Sequence, residues 1–87
     1  MPDESDAVRV WFVAREYTDK GLLTVRYATP DGERVFEKQQ SPTAPDPTAA
    51  RDVAPAKLVP VEDPETADRY RTEVERVRET NGPTERL

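Results

Sequence analysis

Cysteine and histidine are both absent from the 87-residue chain, and glycine occurs only three times. Without cysteine there is no disulfide, no thiolate nucleophile and no thiolate-held metal, which fits a reducing compartment. Without histidine, the commonest proton shuttle near neutral pH and the commonest zinc ligand are missing too. Three glycines are too few for most phosphate-cradling loops or dinucleotide fingerprints, and no nucleophile elbow occurs. No regularly spaced acidic loop offers a cage for a hard cation, so neither a metal nor a cofactor is expected. Long apolar runs are also lacking: nothing approaches the roughly 20 residues that cross a bilayer, and no membrane association is expected. The opening Met1-Pro2-Asp3-Glu4-Ser5-Asp6 is acidic, unlike the basic start of a signal peptide, so the expected location is the cytoplasm.

What the chain has in quantity is charge. Charged residues make up 36% against 34% hydrophobic, and nine residues are proline, so any core must be thin. The net charge of -5 opposes general nucleic-acid binding through phosphate repulsion. Ten arginines stand against three lysines and 18 acids. At this length the chain forms one domain.

Residues 1–7 carry three acids and, apart from Met1, no large apolar residue, which reads as a disordered acidic lead-in to a single domain over 8–80. Val8, Val10, Phe12 and Ala14 alternate with Arg9, Trp11, Val13 and Arg15, the period of a strand, here 8–17. Thr18-Asp19-Lys20-Gly21 supplies a turn, 22–29 a second strand, Thr29-Pro30-Asp31-Gly32 a second turn and 33–39 a third strand. Prolines 42, 45, 47, 55 and 60 then exclude a central strand or a long helix. Asp46-Pro47 has the grammar of a helix start and suggests a short helix over 47–53. Leu58-Val59-Pro60-Val61 is expected to dock on a sheet edge. Asp63-Pro64 repeats the start grammar and opens a helix over 64–80, with Ala67, Tyr70, Val74 and Val77 on one stripe. Asn81-Gly82-Pro83 stops it, leaving 81–87 as a flexible tail. The expected fold is α+β: a three-stranded antiparallel meander packed by a C-terminal helix.

If the first turn is a four-residue loop and the second a type I turn with a glycine bulge, Val8, Val10, Phe12 and Ala14 share a face with Leu23, Val25, Tyr27 and Val35. The helix stripe is expected to cover this apolar side. The other side then carries Trp11, Arg15, Tyr17, Arg26, Arg34 and Phe36, with Arg26 across from Phe36. Three roles for that side remain open. The proline-rich segment could fold over it; it could bind a protein partner or a second copy of the chain, since tryptophan, tyrosine and arginine dominate interface hot spots; or it could stack single-stranded nucleic acid. The partner-binding role, with a two-fold homodimer as its simplest form, is the expected one, and single-stranded nucleic acid is the alternative. No enzymatic activity is expected, because no carboxylate, tyrosine, serine or lysine sits in a setting that would tune it for catalysis. Glu37, pointing toward the core side of an edge strand, reads as a guard against edge pairing.

The run Val25-Arg26-Tyr27-Ala28-Thr29-Pro30-Asp31-Gly32-Glu33-Arg34, the acidic arginine-rich surface and the proline-punctuated tail together resemble the uncharacterised small acidic proteins of halophilic archaea. The resemblance implies a salt-adapted cytoplasmic protein and carries no functional residues with it. The layout of strands and helix is also similar to chromo-like and small-barrel modules, which bind tails or nucleic acid.

Overall fold

The computed structural model describes residues 7–87. All but the last residue of the expected acidic lead-in 1–7 therefore lies outside the described residues. The three alternating segments form β1 (Val8–Tyr17), β2 (Leu23–Ala28) and β3 (Arg34–Gln40), joined as the expected antiparallel meander. Two further strands enlarge it. β4 (Ala50–Val53) pairs with the outer edge of β1, and β5 (Val59–Pro60) with that of β3, so the sheet has five strands in the order β4-β1-β2-β3-β5. Helix α1 (Pro64–Thr80) completes an α+β fold. Among the described residues, no helix is long and apolar enough to cross a membrane.

The short helix expected over 47–53 does not form, and its second half is β4. Seven residues stopped by Pro55 make a marginal helix, whereas an extended Ala50-Arg51-Asp52-Val53 fills the open edge of β1, pairing Val53 with Val8 and Arg51 with Val10. Tertiary pairing outweighs the helix-start grammar of Asp46-Pro47. β5 is the edge-docked segment expected at Leu58–Val61, and Pro60 is tolerated there because an edge strand has a side with no ladder bond to lose.

The residues after α1, expected to be a flexible tail, are tied down. Backbone N–H groups of Ala49 and Ala50 donate to the carbonyls of Glu85 (2.7 Å) and Pro83 (3.0 Å), and the Leu87 N–H donates to Pro47 (2.9 Å). Leu87 packs against the core beneath α1.

β4 and β5 lie at opposite edges of the sheet, yet only Ala54–Leu58 separates them in sequence. Four strand spacings on a flat sheet are about 19 Å, while this link contains a 3₁₀ turn at Pro55–Lys57 and reaches only about 16 Å. The sheet must curl to close that gap. Its concave face holds Val10, Leu23, Val25, Tyr27 and Val53, with Phe12, Phe36 and Leu58 at their margin. Its convex face holds Trp11, Ala28 and Ala50, and there Val74 and Val77 of α1 pack with Ala49.

α1 therefore covers the side carrying Trp11, opposite to the expected side. Two register details also move individual side chains between the faces. The second turn pairs Thr29 with Arg34 instead of Glu33: the Thr29 N–H donates to the Arg34 carbonyl at 3.0 Å. The whole of β3 slips by one residue, so Phe36 faces Tyr27 and Glu37 faces Arg26. The first hairpin contains an irregularity at Val13, between the Phe12–Tyr27 and Ala14–Arg26 pairs. That extra residue moves Arg15 and Tyr17 onto the face of Phe12.

Local chemistry fixes the second turn and the helix start. The Thr29 hydroxyl donates to Asp31 Oδ1 (2.5 Å), which also accepts the Glu33 N–H (2.9 Å). The hydroxyl bond first, and the Glu33 N–H second, hold the Asp31 carboxyl below the ordinary carboxylate range. Because its folded-state pKa is depressed, Asp31 contributes stability that is present above about pH 4 and is lost as pH falls through the folded value. The melting-temperature gap between wild type and Asp31→Asn should be widest near pH 6 and close toward pH 2. A gap that stays constant would contradict this role. At α1, Asp63 caps the Glu65 N–H at 3.2 Å and Pro64 takes the first helical position.

Candidate binding pocket

The registers set three aromatic rings in a row across the concave face. Phe12 opposes Tyr27, and Tyr27 opposes Phe36. Phe12 and Tyr27 meet edge to face at 6.1 Å, and Tyr27 and Phe36 meet tilted at 6.4 Å. Arginines stand at both ends. Arg15, brought across by the irregularity at Val13, lies 5.5 Å above the Phe12 ring. Arg51, pointing inward from β4 beside Val10, lies 5.1 Å from the Phe36 centroid and 5.9 Å from that of Tyr27.

Beside Arg51 the concave face opens into a cavity of about 310 Å³ between β2, β3 and residues 44–48. Tyr27 is its floor. Its hydroxyl donates to the Thr48 carbonyl at 3.0 Å, and burial pushes its pKa up, so the phenol stays protonated and fastens the loop. Pro45 and Pro47 stiffen that loop. Lys38, Arg51 and Arg86 line the walls with one acid, Asp46. Arg86 Nη1 donates to the Asp46 carbonyl at 2.8 Å, so the chain's last residues help to build the wall.

Two other surface depressions have the opposite character. One is lined by Asp31, Glu33, Glu62 and Asp68 with Arg71, and the other by Glu75 and Glu79 with Arg78. Positive charge is concentrated at the aromatic cavity.

The six residues expected to form one face are divided between two. Trp11 is 8% exposed in the core under α1, with Arg78 lying 5.8 Å above its ring. Arg26 shares that side, bonded to Glu37 at 2.8 Å and 3.6 Å from Glu16. The Glu37 hydrogen bond holds the Arg26 guanidinium above its ordinary pKa. Glu37, expected to face the core side alone, is thus a partner of Arg26. Arg15, Tyr17, Arg34 and Phe36 belong to the other side. Tyr17 is exposed at the end of β1, and Arg34 lies at the far end of β3 opposite Pro60. Of the six, only Phe36 lies within reach of Arg51 at the pocket. Lys38 falls on the basic face the sequence suggests, whereas no sequence pattern singles out Arg51 or Arg86, and Tyr27 is expected on the core side. No spacing in the sequence links 38, 51 and 86, which meet only because β4 returns to β1 and the chain end returns to the 46–50 segment.

The architecture is that of a curled antiparallel sheet backed by one helix, with a basic, aromatic-floored pocket in its concavity. The chain belongs to a family of unknown function, DUF7967, whose model matches residues 4–87. No curated protein and no solved structure matches it.

Proposed function

We propose that the protein is a small, non-catalytic interaction domain of the cytoplasm that binds a protein partner on the concave face of its sheet, at the pocket floored by Tyr27. The observation that carries this reading is Arg51. Its guanidinium is set over two aromatic rings, yet its side chain makes no hydrogen bond or ion pair among the described residues. A rigid aromatic platform presenting an arginine with free donors is the chemistry of an interface hot spot. Tyr27, the pocket's one phenol, is a protonated donor bonded to the Thr48 carbonyl.

α1 occupies the Trp11 side on which the expected homodimer rested in part, which favours a different partner over a second copy. Single-stranded nucleic acid needs open ring faces for stacking. Tyr27 is 2% exposed and Arg51 sits over both Tyr27 and Phe36, so the geometry favours a protein partner.

The test is selection from an unbiased peptide library followed by amide chemical-shift mapping. Selected peptides should perturb the amides around Phe36, Lys38, Thr48 and Arg51, and an Arg69→Glu change on α1 should leave binding intact. Peptides that map to α1, or that bind without perturbing the pocket, would overturn the reading.

The acidic surface supports a salt-adapted protein as part of the same proposal. Exposed carboxylates repel at low ionic strength and the thin core has little to offset them. The melting temperature should therefore rise between dilute buffer and about 1 M potassium chloride. A flat or falling trend would contradict it.

A further inference from the structure

We infer that the pocket receives carboxylates, and that the partner segment held there is an acidic peptide. This deepens the interaction-domain reading and rests on it. In a chain with 18 acids against 13 bases, Lys38, Arg51 and Arg86 converge on one cavity that holds a single acid, Asp46. Two further depressions are lined mainly by carboxylates, so an acidic segment meets repulsion there and attraction here.

The donors are pre-positioned. Cation–π contact with Phe36 and Tyr27 holds the Arg51 guanidinium without using any of its five N–H groups. That leaves its edges available for a two-bond clasp on a carboxylate, the strong and directional mode of arginine recognition. Arg86 is steadied by its bond to the Asp46 carbonyl through one nitrogen, leaving other donors free. Lys38, exposed on β3 with no ion pair among the described residues, supplies a mobile point charge at the rim. The cavity of about 310 Å³ accommodates a side chain and its flanking backbone, and the stiff wall of Pro45 and Pro47 limits the ordering that binding must impose.

The probes are a hexaglutamate peptide, a hexaglutamine peptide and a hexamer of deoxythymidylate, each titrated into the labelled full chain at about 0.05 M and about 1 M potassium chloride. Hexaglutamate should shift the amides of Lys38, Thr48, Arg51 and Arg86 saturably, more weakly at the higher salt, while hexaglutamine leaves them in place. Arg51→Gln and Lys38→Gln should each weaken hexaglutamate binding by about tenfold. Lys38 is exposed, so its variant keeps the test valid even if loss of the Arg51 packing disturbs the fold. Absent or α1-centred shifts with hexaglutamate would overturn the inference, as would undiminished affinity in the Lys38 variant or tighter binding of the oligonucleotide to the same amides. Should hexaglutamate fail while library-selected peptides still map to the pocket, the acidic partner is refuted and the interaction domain stands.

Discussion

Replacing Gly32 by alanine should cost much of the stability of this domain, about 2–5 kcal/mol out of the roughly 4–13 kcal/mol typical for a chain of this size. Gly32 has φ +73°, where an added Cβ costs about 1–2 kcal/mol in any surroundings. Its surroundings make matters worse. The turn between β2 and β3 lies against α1 so closely that a Cβ would strike the Ala67 carbonyl oxygen and come within 2.8 Å of the Arg71 nitrogen. Both are helix backbone, which cannot swing aside as a side chain can, so overpacking adds about 1–3 kcal/mol. Gly21 is the internal control. Its φ is +77°, but a Cβ there meets nothing within 4 Å. Gly21→Ala should lower the melting temperature by about 5–15 °C and Gly32→Ala by about 15–30 °C. Equal losses in the two variants would mean that the turn does not dock on α1.

Truncating Trp11 to alanine should unfold the protein more readily instead of dissociating a complex. Trp11 packs with Ala28, Ala49, Ala50, Val74 and Val77 in the core between the sheet and α1. Removing a buried indole leaves a large cavity that a helix pinned at both ends closes poorly, a loss of about 3–5 kcal/mol. The thermal transition should move down by about 15–30 °C, and wild-type tryptophan emission should be blue-shifted and protected from acrylamide. A Trp11→Ala variant that melts within a few degrees of wild type would place the indole outside the core.

The sequence made some elements plain and hid the way they face. The meander was legible because β-branched and aromatic residues alternate between two turns rich in glycine and aspartate. Helix α1 was legible to the residue, since Asp63-Pro64 and Asn81-Gly82 mark its ends. Register was not legible. Whether Thr29 pairs with Glu33 or Arg34 depends on one hydrogen bond in the turn, and a single step exchanges Phe36 for Glu37 on the concave face. The irregularity at Val13 has no local signature, because valine suits a regular strand equally well. Apolar side chains on both faces of β1 left pattern alone unable to choose where α1 would lie.

β4 was obscured by a conflict of levels: Asp46-Pro47-Thr48-Ala49-Ala50 favours a helix locally, whereas the open edge of β1 rewards a strand. Arg51 reaches the pocket only through β4, so it is hidden wherever β4 is. The residues expected to share one face are divided between the two faces of the sheet. Only Phe36 among the expected residues contributes to the platform under Arg51.

The side of the sheet on which α1 lies decides whether the concave face is open as a pocket, and a nuclear Overhauser spectrum reads it directly. Cross-peaks should join the Trp11 indole to the methyl groups of Val74 and Val77, and the rings of Phe12, Tyr27 and Phe36 to one another. Cross-peaks from Tyr27 or Val25 to Val74 and Val77, with none from Trp11, would put the helix on the concave face and abolish the pocket.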